Sequence, residues 1–520
     1  MDLPFVVATL TRRGLLTPGH PIRVAAQLQA LRRWGWNIAG ELRQAAARDP
    51  DRAAVVDEQG AALTYAELLD RAERLARGMR TALGVRAGER VGVLCRNHHG
   101  LVETIVAATL LGADAVLVNT GLSAAQLATV TEEQRLRALV HDAEFADRVA
   151  SLPAEVQRLD ERAREELVVG ALPGALRPPE RDGRIIVLTS GTTGAPKGAR
   201  RPTPNGFGPL VSIIDRIPLH ARDTVMIAAP LFHTWGYAAL QVCFALRATV
   251  VLHRRFDPAA TLAALVAQRC DALFAVPVML QRLLEVPPPD PRPPLKVVAA
   301  SGSALPGGLA LRFMDVYGDV LHNLYGSTEV SWASIAGPAE LRAAPTTAGR
   351  PPHGTRLEIL DAAGEPVPAG RVGRIFVGNE MLFEGYTSGA TREHRGGLLD
   401  TGDLGRLDAD GLLFVDGRAD DMIVSGGENV FPSEVEDLLA RLPQVREAAV
   451  LGVPDPQYGQ RLAAFLALHP GETLDPEAVR EYVRHQLARF SVPRDVVFVE
   501  YLPRNATGKV LTRELRRHHG

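Results

Sequence analysis

The chain has 520 residues, 46% of them hydrophobic and 23% charged, with a formal net charge of −2. That length exceeds one compact core and points to two or more domains, and near-neutral charge removes any bulk electrostatic case for a nucleic-acid partner. Cys95, Cys243 and Cys270 are far apart with no CxxC spacing, which argues against a zinc site or disulfide framework and fits a reducing, cytoplasmic setting.

The opening stretch, MDLPFVVATLTRRGLLTPGH, lacks the early basic region and small-residue cleavage site of a signal peptide. With IRVAAQLQALRRWGWNIAGEL it suits an amphipathic helical surface packed on the body, peripheral membrane contact being the alternative. No apolar run reaches the ~18–20 residues that span a bilayer. From residue 90, short apolar runs alternate with helical patterns. RVGVLC (90–95), AVLVN (115–119), ALVHD (138–142) and RIIVLT (184–189) read as strands, then TVMIAAP (224–230), TVVLH (249–253), ALFAVP (272–277) and KVVAAS (296–301). AATLAALVAQRC and PGGLALRFMDVYG read as intervening helices. Such alternation predicts an α/β fold with mainly parallel sheets, in which ligands gather at the carboxyl ends of strands.

The strand 184–189 runs into LTSGTTGAPKGAR (188–200). Thr189, Ser190, Thr192 and Thr193 offer hydroxyls, Gly191, Gly194 and Gly198 a flexible backbone, and Lys197 a cation. Only three of the 58 basic residues are lysine, so a lysine placed here stands out against an arginine background. Converging N–H groups, hydroxyls and one compact cation make a phosphate cradle. It is not a Walker A loop, because Pro196 and Gly198 flank the lysine.

PLFHTWGYAALQVCFALRA (230–248) follows, with His233, Trp235 and Tyr237. The next polar motif, HNLYGSTEV (322–330), is expected to follow a strand. Tyr325 suits stacking on a base, Thr328 donation to a phosphate and Glu329 a share in holding Mg²⁺. RPPHGTRLEILDAAGEPVPAGRVGRIFVG reads as a small β-subdomain. The loop-like LLDTGDLGRLDADGLLFVDGRADDMIVSGGENV then collects Asp403, Arg418, Asp420 and Asp421 among glycines. Asp403 suits a ribose diol and Arg418 a ribose or phosphate, with a solvated acidic loop as the alternative. Past Asp420 the order becomes strand, helix, two strands, helix and strand, a compact α+β unit. The expected division is 1–419 and 420–520. Near the end, RNATGK carries Lys509, while Lys296 begins a strand and reads as a surface residue.

These four motifs, in this order and spacing, resemble the adenylate-forming superfamily of acyl-CoA synthetases, peptide-synthetase adenylation domains and luciferases, from about residue 40 onward. The resemblance implies a large N-terminal AMP-binding and acyl-binding domain of two mainly parallel sheets plus a β-subdomain, and a small mobile α+β C-terminal domain. It implies that Thr189, Ser190, Gly191, Thr192, Thr193, Gly194 and Lys197 cover the ATP β- and γ-phosphates. Tyr325 would pack on adenine, with Asn323, Gly326 and the turn Ser301, Gly302 and Ser303 nearby. Thr328 would contact the α-phosphate region, Glu329 would bind Mg²⁺, and Asp403 and Arg418 would hold ribose. Asp420 would be the hinge, and Lys509 would reach the carboxylate and α-phosphate. Gly426 and Gly427 would give coenzyme A its clearance. His233 would lie near the reacting carboxyl, with Trp235 and Tyr237 by the acyl tunnel.

The segment LFHTWG most resembles bacterial fatty acyl-CoA synthetases, so the expected activity is an ATP- and Mg²⁺-dependent medium- or long-chain fatty acid–CoA ligase of lipid metabolism. The alternatives are a ligase for aryl or other carboxylic acids, or a stand-alone ligase loading a carrier protein; a homodimer is left open. The acidic residue that peptide-synthetase domains use for an amino acid is missing here. SGSALP and RRPTP depart from the commoner wording of their motifs, which bears on nucleotide and acyl fit.

Overall fold

The computed structural model describes residues 2–172, 174, 176–189, 196–425, 428–455, 459–505 and 508–519. An eight-stranded sheet runs in the order Ser334–Ala336, Leu321–Tyr325, Val297–Ala300, Ala272–Ala275, Thr224–Ile227, Thr249–Val251, Ala53–Val56, Ala62–Thr64. Its inner pairs are parallel and only the two edge pairs are antiparallel. A six-stranded sheet runs Gln157–Leu159, Leu136–His141, Arg90–Leu94, Asp114–Leu117, Ile185–Thr189, Lys197–Arg201, parallel except at the last pair. Strands such as Ala272–Ala275 and Val297–Ala300 are buried at every position, as expected of parallel strands covered on both faces. The helix His99–Leu110 is enclosed along its whole length past His99. Its one acidic residue, Glu103, is answered by Arg71 at 2.5 Å and by Arg164.

The β-subdomain is an antiparallel sheet of Arg356–Leu360, Gly373–Gly378, Leu398–Leu407 and His394–Arg395, with Leu413–Arg418 on the flank of Leu398–Leu407. The last sheet is built wholly from residues after 421. Glu428–Val430, Ile423–Ser425, Gly459–Leu468 and Val445–Asp455 lie side by side, and Asp495–Val499 pairs in parallel with Gly459–Leu468. The helices Pro432–Leu439 and Pro476–Gln486 pack Val435, Leu439, Val479 and Val483 into its separate core.

The strands and helices quoted above by their sequences, from RVGVLC to KVVAAS with AATLAALVAQRC and PGGLALRFMDVYG, are present. Elements that sequence reading missed include the strands Ala53–Val56, Ala62–Thr64, Gln157–Leu159, Lys197–Arg201 and Ser334–Ala336 and the helices Tyr65–Ala82 and Thr512–His519. KGARR has three cations in five residues and nothing β-branched. It becomes a strand because it pairs back on Ile185–Thr189, with Thr189 opposite Lys197 and Ile185 opposite Arg201, and this pairing overrides local propensity. Asp403 and Arg418, for which a solvated acidic loop is the alternative reading, sit opposite each other on neighbouring strands. HNLYGSTEV does not follow a strand: its first residues are the strand Leu321–Tyr325 itself.

At the N-terminus the helices Leu3–Arg12, Pro21–Trp34 and Ile38–Arg48 pack on the body. Arg13 donates to the Ile214 carbonyl at 2.8 Å, and Phe5 stacks on His353. Among the described residues no helix is long and apolar enough to cross a membrane.

Candidate active site

The polar motifs, hundreds of residues apart in sequence, open onto one cavity of 990 Å³. Thr189, Lys197, His233, Trp235, Ser301, Gly302, Ser303, Asn323, Tyr325, Gly326, Thr328, Glu329, Asp403, Arg418, Asp420 and Lys509 all line it. Ser190, Gly191, Thr192, Thr193 and Gly194, and also Gly426 and Gly427, lie outside the described residues.

The hairpin of Ile185–Thr189 and Lys197–Arg201 sets the first group. Thr189 Oγ1 donates to the Lys197 carbonyl at 3.2 Å, which ties the two strand ends together. The Lys197 ammonium stands 5.8 Å above the Tyr386 ring, and the Tyr386 hydroxyl donates to Glu329 Oε1 at 2.7 Å. Glu329 is buried, and among the described residues this hydroxyl is its carboxylate's hydrogen-bond partner. Tyr386 was not picked out by sequence reading. Its signal, a tyrosine after the glycine in LFEGYT, is too short to stand out.

Glu329 is held by the turn that follows strand Leu321–Tyr325. Gly326 lets that turn fold back, since a Cβ there would lie 2.3 Å from the Ser331 carbonyl oxygen. The Ser327 hydroxyl accepts from the Glu329 and Val330 N–H groups. Thr328 Oγ1 lies 2.9 Å from Thr234 Oγ1, which ties this turn to the start of the helix Thr234–Ala245, far earlier in the chain. On the other side, the Tyr325 hydroxyl donates to Asp403 at 2.6 Å. Burial pushes the Asp403 carboxyl above its ordinary value, with Tyr325, Arg418 and Lys509 pulling it back. Arg418 faces Asp403 across the strand pair and keeps a buried Nε with no partner. An unsatisfied buried donor beside a carboxylate is suited to a polar ligand.

His233 caps the helix Thr234–Ala245. The loop before it is pinned by Asn97, which donates to the carbonyls of Ile227 and Ala229 and accepts from the Leu231 N–H at 2.8 Å. Burial first, then the Lys509 ammonium, lowers the imidazole to about 4, so it is neutral at pH 7. Trp235 lines the cavity with its N–H donated to the Ala275 carbonyl. Tyr237, expected beside it, does not line the cavity. It is buried behind the wall because helical spacing turns it away from Trp235, and burial raises its phenol.

Lys509 arrives from the last unit. It is open to the cavity yet crowded by protein. Burial and Arg418 lower its ammonium, while Asp403, Glu329 and Asp421 act the other way. Gly508 permits the approach: its φ is +81°, and a Cβ would lie 2.7 Å from Val278 Cγ1. Gln281 donates to the Arg446 carbonyl at 2.7 Å and Arg446 pairs with Glu285, so the last unit is docked on the large one next to this loop. Asp420 lies in the short 3₁₀ turn Ala419–Asp421 that joins the two. Lys296 is on the surface and pairs with Asp271 at 2.7 Å.

Away from the cavity, Cys95, His98 and Asp142 come together in the core. His98 bonds Asp142 at 2.8 Å through Nε2 and accepts the Gly100 N–H through Nδ1, so both ring nitrogens are engaged.

Comparison with known proteins agrees with this geometry. Residues 42–387 match the family model described as AMP-binding enzyme, and residues 434–509 match that of the AMP-binding enzyme C-terminal domain. A feruloyl-CoA synthase of Amycolatopsis sp is 35% identical over 481 residues, covering 91% of this chain and 97% of the relative. A 2-succinylbenzoate–CoA ligase of Geobacillus kaustophilus is 33% identical over 496 residues, covering 92% and 97%. The solved o-succinylbenzoate CoA synthetase of Bacillus subtilis, in complex with its acyl-adenylate intermediate, superposes with a TM-score of 0.81 at 30% identity, covering 92% of this chain and 97% of that one.

Proposed function

The chain belongs to the AMP-binding enzymes of the adenylate-forming superfamily, and from that premise we propose that it joins an aromatic carboxylic acid to coenzyme A. Adenylate-forming CoA ligases use ATP, Mg²⁺ and coenzyme A. The observation that carries the aromatic reading is the wall of the cavity. Trp36, Trp235 and Trp332, three of the chain's four tryptophans, line it together with Phe274. Aromatic pairs add about 0.5–1.5 kcal/mol beyond burial, an advantage an alkyl chain lacks. The feruloyl- and succinylbenzoate-activating relatives point the same way. Leu210, Ile213, Val242 and Ala245 in the same cavity favour a second reading, the straight-chain acid suggested by LFHTWG.

In this reading Tyr325 packs on adenine, Asp403 and Arg418 hold the ribose, and Lys197 with its loop faces the β- and γ-phosphates. Glu329 fits a hard cation: it is a buried carboxylate oriented by one hydroxyl, and Mg²⁺ commonly takes one or two carboxylates along with phosphates. Mg²⁺ would supply positive charge against the phosphates there. Lys509 draws carboxylate and α-phosphate together, two anions that otherwise repel, and Thr328 donates to the phosphate. Neutral His233 orients the carboxyl without adding a competing charge. Residues 1–419 and 420–520 act as two bodies hinged at Asp420, so the lysine can withdraw once the adenylate has formed.

AMP release measured over a panel of benzoic, cinnamic and C4–C12 straight-chain acids tests the substrate class. The expected result is a higher kcat/KM for an aromatic acid than for every alkyl acid. A series climbing with chain length, by about fourfold per methylene as burial predicts, would favour the straight-chain reading instead.

A further inference from the structure

We propose that Arg201 selects acids that carry a second anionic group at the end distant from the reacting carboxylate. The inference rests on the reading of the cavity as the acyl site.

Arg201 lines the cavity and is 6% exposed. Its Nη1 is buried with no hydrogen-bond partner, and among the described residues no ion pair includes it. A buried guanidinium is costly unless an anion balances it. Burial lowers this one only to about 10, so it is a cation at neutral pH. The other ionisable group set into the acyl part of the wall, Glu41, does not cancel that charge. Burial raises its carboxyl to about 8, leaving it mostly protonated. The cavity wall therefore presents one buried guanidinium with no ion-pair partner among the described residues and one neutral acid, both able to donate to an oxyanion.

The strand on which Arg201 sits indicates which anion it meets. Lys197, Ala199 and Arg201 share a face of Lys197–Arg201, and at about 3.3 Å per residue Arg201 lies roughly 13 Å from Lys197, at the far end of the strand. The chain then leads directly into helix Gly208–Arg216, whose Pro209, Leu210 and Ile213 form part of the apolar wall. Nor is Arg201 beside the reacting carboxyl. The field that acts on His233 is that of Lys509, whereas Arg201 is felt by Tyr237, behind the wall. Glu329 acts on it through space without forming an ion pair, so the guanidinium's own donors stay open.

The test compares two pairs of acids, cinnamate with 4-carboxycinnamate and hexanoate with adipate, on the full-length protein, Arg201→Met and Arg201→Lys. AMP release gives kcat/KM, and calorimetry without ATP gives Kd. The unchanged protein is expected to prefer the dianionic member of at least one pair by about tenfold or more, a threshold well below the ~10⁴–10⁵ that a site built to hydrogen-bond a polar group can reach. Arg201→Met should lose that preference in both kcat/KM and Kd with KM for ATP unchanged, and Arg201→Lys should keep part of it. Equal turnover of both members by the unchanged protein overturns the inference. So does an equal loss on mono- and dianionic acids in Arg201→Met, or a rise confined to KM for ATP. If no acid releases AMP, the acyl-site reading fails and the inference with it. If only the alkyl pair shows the effect, the inference stands and the aromatic reading fails.

Discussion

The Tyr386 hydroxyl donates a 2.7 Å hydrogen bond to Glu329, and its ring lies under the Lys197 ammonium. One side chain thus orients the carboxylate assigned to Mg²⁺ and supports the cation of the phosphate hairpin. Removing a partner of a metal-binding carboxylate typically weakens metal affinity about 10–100-fold. Tyr386→Phe is expected to raise the Mg²⁺ concentration for half-maximal AMP release by about tenfold while leaving KM for the acid alone. A Mg²⁺ titration checks this, and an unchanged midpoint would show that the bond does not orient Glu329.

Lys509→Met should depress formation of the acyl adenylate by about 10²–10³, the usual loss when one preorganised charge contact is removed at a transition state. Thiolation of a supplied acyl adenylate should be nearly unaffected. Separate assays of the half-reactions decide the matter: equal losses in both would sink the division of labour.

Gly508→Ala introduces a methyl group where φ is +81° and Val278 Cγ1 would be 2.7 Å away. Both effects oppose the approach of the Lys509 loop. Adenylation should fall at least tenfold, about 1.4 kcal/mol of barrier, and thiolation much less. Trimming the obstacle with Val278→Ala should restore part of the rate. Failure of the double variant to improve on the single one would leave backbone strain as the whole effect.

Glu41 makes a pH prediction. Its carboxyl ionises at about 8 when folded, against an ordinary 4.5. Between those values the folded chain keeps a proton that the unfolded chain has lost, so stability falls as pH rises. The contribution is complete below 4.5 and gone above about 8. Buried His233 and His322, both lowered to about 4, work in the opposite sense, but only below their ordinary 6.5. Glu41 should therefore dominate this comparison between pH 6.5 and 8, with Glu436, raised to about 7, adding to the slope. Denaturant midpoints across that window should decline less steeply in Glu41→Gln. Identical slopes would mean the carboxyl is ionised in the fold.

Much of this architecture is legible in the chain because parallel strands buried on both faces leave unbroken apolar runs such as ALFAV and VVAA. The nucleotide motifs are legible for a different reason. Gly, Ser and Thr clusters around rare lysines have no packing purpose, so their chemistry shows directly. What stays hidden depends on contacts between distant segments. KGARR is a strand only through its partner. Tyr386 matters through Glu329, 57 residues earlier in the sequence. The cavity wall proposed to hold the acid is assembled from Trp36, Glu41, Arg201 and Trp332, which no local pattern links. LFHTWG suggested an alkyl chain, yet it contributes only part of that wall.

The placement of the tryptophans has an optical consequence. The fourth, Trp34, is buried with the Arg43 guanidinium 3.7 Å from its ring, while the other three border a single cavity. Indole emission from this protein therefore originates largely around one place. A ligand entering there changes the polarity and quenching felt by three emitters at once. The chain should report its own occupancy as a shift in intrinsic fluorescence, with no label attached and no turnover required.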